Sequence, residues 1–333
     1  MSRLSSQIAE SAEKVNRFIE KVVDLEGEPE LLYRAARHII DAGGKRLRPF
    51  LVLKSCRLVG GREEDAMPTA AALELLHTFT LLHDDIMDQD EKRRGVPTVH
   101  NQWGVPIAIV AGDLLFAKVY EAITKFTDPK HVAPERILQV LKEISEATTN
   151  ICEGQTRDMM FESKETVSEN EYFRMIQAKT AALFKVSARC GGILGGAKKS
   201  QVDRLGEFGR YAGIAFQVID DVLGLIADEK VLKKPVGSDI REGKRTLIVV
   251  HALENASKNQ RKTILETLGN QAASPEQIRE TVEMINSLGA IDHAKEVAEK
   301  YIVRAREALA GFPASEDRED LISLSDLIFA RQH

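Results

Sequence analysis

Three cysteines in 333 residues, Cys56, Cys152 and Cys190, are too few and too far apart for a disulfide framework. With no CxxC pair among them they signal no zinc site either. Aromatic residues make up only 5% of the chain. No apolar run approaches the roughly 18 residues that a membrane-crossing helix needs, so no transmembrane helix is expected. The opening segment, MSRLSSQIAESAEKVNRF, lacks the apolar stretch of a secretory signal. A soluble protein of the cytoplasm is the expectation. Positive charge is not in excess: 46 Lys and Arg stand against 51 Asp and Glu, and the net charge is −5. There is therefore no global electrostatic case for nucleic acid. Period-2 alternation bounded by turn signals is missing as well, which argues against a β architecture.

What the chain does have is helical periodicity and ample material for a core, with 43% apolar residues. Ile8, Ala12, Val15, Phe18, Ile19 and Val22 recur at three- and four-residue steps. So do Leu138, Leu141, Ile144 and Ile151, and later Ile278, Val282, Ile285, Ala294, Val297, Tyr301 and Ala305. Breakers separate these stretches: Gly27 to Pro29, Gly43-Gly44, Gly60-Gly61, Gly95 to Pro97, Asp128-Pro129, Gly195-Gly196, Pro235 to Gly237, and Ser274-Pro275. The last pair predicts an N-cap followed by proline at the first helical position. Length alone would suggest about two domains. Roughly a dozen helices with short links and no recurring motif make one all-α domain over residues 1–333 the simpler reading.

Chemistry concentrates in "LLHDDIMDQDEKRRG", where an apolar helix runs into five carboxylates and then into paired arginines. Asp84 and Asp88 are four residues apart and stack on one helix face. A solvated helix end is one reading. Acid near a helix C-terminus opposes the macrodipole, however, and clustered carboxylate oxygens suit a hard cation such as Mg2+. A second copy shifts the balance toward the cation. "AFQVIDDVLGLIADEK" again places two aspartates, Asp220 and Asp221, after an apolar helical run, with Asp228 about two turns beyond. Two such pairs predict facing carboxylate clusters that hold Mg2+ against an anionic substrate, of which diphosphate is the obvious one.

Basic clusters fit that anion. "GGKRLRP" carries Lys45, Arg46 and Arg48; "KRRG" carries Lys92, Arg93 and Arg94; Lys233-Lys234 and Lys244-Arg245 follow the second acidic segment. Arginine offers a fork to phosphate and lysine a mobile point charge. Any one cluster alone reads as solvated surface, and Lys179 and Lys244 would be surface lysines by default. His77, seven residues before Asp84 on the same face, is either a core histidine or part of this site.

Other motifs fail. "GSDIREGKRT" has the wrong glycine spacing for a P-loop and no preceding strand. "CGGILGG" is not GxGxxG. Glu74 and His77 match the ExxH of di-iron bundles, but no second copy exists. There is no HExxH, and no GxSxG supports a Ser/His/Asp triad.

The chain as a whole resembles the trans-isoprenyl diphosphate synthases, and within them the short-chain geranylgeranyl and farnesyl types of archaea. The resemblance runs in order through "GGKRLRP", "LLHDDIMDQDEKRRGVPTVH", "GDLLF", "EGQTRDM", "QAKTAALF", "FQVIDDVLGLIADE" and "KPVGSDIREGKRTL". It implies an all-α bundle around a deep central cavity, a homodimer, and head-to-tail condensation of isopentenyl diphosphate with an allylic diphosphate (dimethylallyl, geranyl or farnesyl). It also implies three Mg2+ ions, with Asp84 and Asp88 as metal ligands, Asp85 in support, and Asp220 on the third ion. Arg93, Lys179, Lys234 and Lys244 would hold the allylic diphosphate. Lys45, Arg48, His77 and Arg94 would hold isopentenyl diphosphate. Thr180 and Gln217 would line the path of the developing cation, and Gln155 and Asp158 would support the metal and diphosphate shell.

One departure stands out: the second motif, often DDxxD, ends here on Gly224. If Asp220 alone supplies its direct carboxylate, Gly224→Asp should change activity only modestly, and Asp228 would compensate only through water. Product length is expected to depend on Phe79, about 7.5 Å below Asp84 at 1.5 Å per residue, and on Thr80, which points nearer the Asp84 direction. In the short-chain synthases that the chain resembles, a bulky residue at the Phe79 position goes with a C20 product, so the resemblance, together with the small Thr80, implies mainly geranylgeranyl diphosphate with some farnesyl diphosphate. Competing readings are a class I terpene cyclase or head-to-head synthase, which "GGKRLRP" and Arg94 oppose, and a non-catalytic helical subunit, which the retention of both Asp pairs opposes. Low aromatic content also speaks against a cyclase.

Overall fold

The computed structural model describes residues 3–162, 164, 166–226 and 238–330. The described residues are helical nearly throughout. Their only strands are a two-residue antiparallel pair, β1 (Lys92–Arg93) and β2 (Val96–Pro97). The helices are α1 (Arg3–Val22), α2 (Glu30–Asp41), α3 (Leu47–Leu58), α4 (Glu63–Met87), α5 (Val99–Trp103), α6 (Val105–Phe126), α7 (Pro134–Glu162) and α8 (Glu169–Ile176). A π-helical turn (Gln177–Ala181) follows, then α9 (Ala182–Leu194), α10 (Lys199–Ile226), α11 (Ser238–Glu242), α12 (Leu247–Asn255), α13 (Lys258–Thr267), α14 (Pro275–Ser287), α15 (Ala290–Leu309) and α16 (Glu316–Ala330). Every breaker expected within the described residues falls between helices or at a helix start. Ser274 caps α14 in a capping box, with Pro275 at its first position.

The chain divides into two compact units. The first comprises Met1–Ser145, Val186–Gly206 and Phe312–Leu321. Its central element is α4, which packs against α1, α3 and α6. From Ala70 to Leu76 every side chain of α4 is buried, and all of them are apolar except Glu74, as suits a helix at the centre of a core. Full burial of Leu73, Leu75 and Leu76 contributes about 1.5–3 kcal/mol each. Gly112 lets α6 approach α4 closely: a Cβ there would lie 2.3 Å from His83 Nε2.

An ion pair is sealed in this core. Arg46, at the N-cap of α3 in a left-handed conformation, sends its Nη1 to Glu74 Oε1 at 2.7 Å, its Nε to Asn16 Oδ1 at 2.9 Å and its Nη2 to the Ile40 carbonyl at 2.7 Å. Both partners of the ion pair are buried. Arg46 therefore belongs to the fold, unlike the phosphate-facing role its cluster suggested, and Glu74 is its counter-ion. Arg46→Met strands the Glu74 carboxylate and should cost about 3–5 kcal/mol of unfolding free energy. Urea denaturation measures this, and a loss below about 1 kcal/mol would show the pair to be dispensable.

The second unit comprises Glu146–Lys185, Glu207–Gly311 and Ile322–His333. Its core gathers Tyr172, Met175 and Ile176 of α8, Ile214, Val218, Ile219 and Val222 of α10, and apolar residues of α12, α14 and α15. Backbones approach closely at Gly154 on α7, where a Cβ would meet Lys179 N at 2.3 Å, and at Gly213 on α10, where it would meet Ala181 Cα at 2.7 Å. Both glycines hold the π-helical turn, and such turns often occur at functional sites.

Candidate functional site

In the first unit, the acidic end of α4 and its basic neighbours form one array. Asp84 lies in the last turn of α4 and Asp88 is its C-cap, whose N–H donates to Asp84 O at 2.8 Å. Helical spacing thus keeps both carboxylates on one side, half-buried. The macrodipole penalty at this end is met by the β1–β2 hairpin, which turns Arg93 back on the acid. Its Nε donates to Asp85 Oδ1 and its Nη2 to Asp90 Oδ2, the latter at 3.2 Å. The run of acid into base is therefore a folded-back ion-pair cluster. Asp85 is buried, and burial pushes its carboxyl up to about 6 against the pull of Arg93. Its Oδ2 is buried with no hydrogen-bond partner.

The hairpin also brings Arg94 to the α2–α3 loop. Arg94 Nη1 donates to the carbonyls of Ile39, at 2.8 Å, and Gly43. Gly44 leaves the gap through which two guanidiniums pass: a Cβ there would lie 2.9 Å from Arg46 Nη1 and 3.0 Å from Arg94 Cζ. Its φ of +148° excludes side chains independently. Lys45 is exposed on the same loop and Arg48 is half-buried in the first turn of α3. His77 feels the arginines of this array. Burial, and then the charges of Arg48, Arg94, Arg93 and Arg46, hold its imidazole well below the ordinary value. His77 is thus neutral at pH 7, and the positive potential around it belongs to the arginines.

Below the acid, Phe79 stacks edge-on with His83 at 4.8 Å and against Phe116 of α6 at 5.2 Å, and Phe116 continues to Tyr120 at 5.3 Å. Thr80 Oγ1 donates back to His77 O at 2.8 Å. Phe116, the last residue of "GDLLF", is the facing-helix partner that reading one helix at a time does not identify.

In the second unit, Lys179 and Thr180 lie on the π-helical turn. Lys179 Nζ pairs with Asp158 Oδ2 of α7 at 2.6 Å, and Gln155 is buried one turn earlier on α7. Thr180 Oγ1 donates to Gln217 Oε1 of α10 at 2.6 Å, and Gln217 Nε2 donates to Asp221 Oδ1 at 2.8 Å. Asp220 is exposed. Asp221 is buried and accepts from the Tyr172 hydroxyl at 2.6 Å. Burial pushes the Asp221 carboxyl up to about 8; the Tyr172 and Gln217 bonds pull it down, while Asp239 and Asp220 raise it. Lys244 pairs with Glu242 at 2.5 Å, and its backbone N–H donates to Asp239 O at 3.0 Å. Lys234, Lys233 and Asp228 lie outside the described residues.

At Gly224 a Cβ would lie 2.5 Å from Asp239 Oδ2, so a carboxylate from α11 lies against the last position of the second motif. Tyr172 and Asp239 were not singled out from the sequence, because no local pattern ties either of them to the acidic segment.

The donors fit Mg2+. They are carboxylate oxygens on helix ends, and Asp85 adds a buried oxygen without a partner. Among the described residues no three His, Cys, Asp or Glu side chains converge into a cage. Mg2+ needs none, since it takes one or two carboxylates and completes its shell with water and substrate phosphate.

A helical chain with this array defines a class of protein, and comparison with known proteins agrees. The polyprenyl synthetase family model matches residues 29–285. The short chain isoprenyl diphosphate synthase of Methanothermobacter thermautotrophicus is 44% identical over 317 residues, 95% of each chain. The crystal structure of geranylgeranyl pyrophosphate synthetase from Pyrococcus horikoshii is 47% identical, with a TM-score of 0.92 over 98% of each chain. A polyprenyl synthase from Caulobacter crescentus, solved with calcium and isoprenyl diphosphate, is 32% identical, with a TM-score of 0.90 over 99% of this chain and 98% of that one. The chain belongs to the polyprenyl synthetase family.

Proposed function

We propose that this protein condenses isopentenyl diphosphate head-to-tail with allylic diphosphates, chiefly to geranylgeranyl diphosphate and partly to farnesyl diphosphate. The observation that carries the reading is the hairpin that folds Arg93 back onto Asp85, beside the carboxylates of Asp84 and Asp88 at the end of α4, and brings Arg94 to the α2–α3 loop. That pairing suits a diphosphate held next to a hard cation. The likeness to a geranylgeranyl pyrophosphate synthetase over nearly the whole chain supports the product assignment.

In this reading Asp84, Asp88 and Asp220 would hold Mg2+, three ions in all, and the bound metal would supply charge neutralisation to the departing allylic diphosphate. Arg93, Lys179, Lys234 and Lys244 bind that diphosphate. Asp85 holds Arg93 in place, and Asp158 holds Lys179. Lys45, Arg48, His77 and Arg94 bind isopentenyl diphosphate; His77 serves as a neutral hydrogen-bonding group, so the arginines alone supply the charge. Thr180 and Gln217 border the allylic cation, and apolar walls keep water from it. The double bond of isopentenyl diphosphate attacks the cation, and a proton then leaves to the departing diphosphate. The active form is a homodimer, for which Val105, Ile109 and Val110 on α6 offer exposed apolar surface. No described helix is long and apolar enough to cross a membrane, which supports cytoplasmic action.

Incubation of labelled isopentenyl diphosphate with geranyl diphosphate and Mg2+ tests the reaction. Extractable C15 and C20 products are expected, and their absence would refute the proposal. Product length tests the aromatic floor. Phe79→Ala should lengthen the product beyond C20, and adding Phe116→Ala should lengthen it further, because Phe116 stays behind when Phe79 is removed. Thr80→Phe should shorten it toward C15. Chromatography of the dephosphorylated products decides; unchanged length in the Phe79 and Phe116 variants would move the floor elsewhere.

A further inference from the structure

The β1–β2 hairpin of the first unit is too small to hold its own shape. Each strand has two residues, paired Lys92 with Pro97 and Arg93 with Val96, and an isolated hairpin is marginal even when longer. Its two-residue turn is Arg94-Gly95, with φ of +54° and +84°. That is the tight turn such hairpins favour, but the left-handed conformation at Arg94 lacks the freedom of glycine and needs outside constraint to persist. Arg93 ties the hairpin to the end of α4 through Asp85 and Asp90. Two further ties run to α2, from adjacent residues. Arg94 Nη1 donates to the Ile39 carbonyl at 2.8 Å, and His38 Nε2 donates to the Pro97 carbonyl at 2.8 Å. A carbonyl only accepts, so Nε2 carries the hydrogen whether the ring is neutral or charged. The His38 ring also packs edge-on against Trp103 at the end of α5, with centroids 5.0 Å apart.

We propose that His38 is a positioning residue for isopentenyl diphosphate: by holding the Pro97 carbonyl against α2 it fixes the turn that presents Arg94. The proposal rests on the reading above, in which Arg94 binds that substrate and Arg93 the allylic one. Arg93 and Arg94 must serve the hairpin and a diphosphate with the same guanidiniums. His38 serves the hairpin alone, from the far end of the strand. Without it the turn at Arg94 is free to relax, and the binding-competent arrangement is populated for a smaller fraction of the time. The apparent affinity for isopentenyl diphosphate falls by that fraction. Arg93 is insulated, because its two carboxylate partners lie on and just beyond α4 and do not depend on α2. The effect of His38 is therefore specific to one of the two substrates.

The test is steady-state kinetics on the full chain with isopentenyl and geranyl diphosphates, after wild-type turnover has been established. His38→Phe keeps a ring against Trp103 and removes the donor. It should raise the KM for isopentenyl diphosphate about three- to tenfold, the factor that one net hydrogen bond carries. The KM for geranyl diphosphate and kcat should stay within about twofold. His38→Gln, whose amide N–H stands in for Nε2, should keep all three values within about twofold of wild type. A double-mutant cycle with Arg94→Ala checks the route. In that background His38→Phe should change the KM for isopentenyl diphosphate less than about twofold, because the group it acts through is gone. An undiminished rise there would overturn the proposal. So would wild-type constants in His38→Phe, a loss that falls on both substrates alike or on kcat alone, or a rise in His38→Gln equal to that in His38→Phe. Should His38→Phe fail to fold, His38→Gln decides: a wild-type KM for isopentenyl diphosphate upholds the proposal, and a rise beyond about twofold overturns it. A wild-type chain that makes no prenyl product at all would instead refute the functional reading on which the proposal stands.

Discussion

Asp84→Asn is expected to lower turnover by at least about a thousandfold, since a metal ligand supplies several kcal/mol of leaving-group stabilisation and each 1.36 kcal/mol is tenfold in rate. The fold should not register the change. Asp84 is half-buried at the last turn of α4, and asparagine keeps its volume while easing repulsion from Asp85 and Asp88. The neighbouring position behaves differently. Asp85 is buried and accepts from Arg93, so Asp85→Ala leaves a partly buried guanidinium short of its main partner, at a cost of about 3 kcal/mol. Thermal melting together with turnover distinguishes the two. Asp84→Asn should melt like wild type and be inactive, and Asp85→Ala should lose both stability and activity. Near wild-type turnover by a folded Asp84→Asn would remove Asp84 from the metal site.

The contrast between these adjacent aspartates shows what a sequence can and cannot convey. Helix ends were legible because their signals are local: Ser274-Pro275, Gly60-Gly61 and Gly195-Gly196 act on their own backbone. The spacing of Asp84 and Asp88 was legible for the same reason, since four residues is a property of one helix. Which basic residue serves the fold was not. Arg46 and Arg48 are two positions apart in one motif, yet Arg46 is consumed by Glu74, 28 residues away. Glu74 carries no mark that separates an ion-pair partner from a metal ligand. Tyr172 and Asp221 are 49 residues apart and meet only because α8 packs on α10. Phe116 meets Phe79 across two helices in the same way. Partnerships of this kind are made by packing, and periodicity does not record them.

Gly224 gives the second large effect, with a sign that the motif alone does not suggest. Restoring an aspartate there, as in DDxxD, looks harmless from sequence. In the structure a Cβ at that point lies 2.5 Å from Asp239 Oδ2, and the Asp239 charge already acts on Asp221. Gly224→Ala isolates the steric part. Helix propensity favours alanine by about 0.5–1 kcal/mol, and the collision opposes this through an oxygen at the tip of a short side chain, which can rotate. The net effect on stability should be within about 1 kcal/mol of zero. Gly224→Asp adds a negative charge directly against Asp239 and near the buried Asp221, so repulsion from Asp239 enlarges the loss. We expect turnover at saturating Mg2+ to fall about tenfold or more, equivalent to about 1.4 kcal/mol. Combining Gly224→Asp with Asp239→Gly frees the space and removes one charge, and should recover much of that activity. Asp220→Asn should be worse than either single change, by about a hundredfold or more, because no other carboxylate of α10 is exposed at that level. Side-by-side turnover of the four variants settles the order. Full activity in Gly224→Asp would mean that Asp239 swings clear at little cost, and a mild Asp220→Asn would remove Asp220 as the ligand of the third metal.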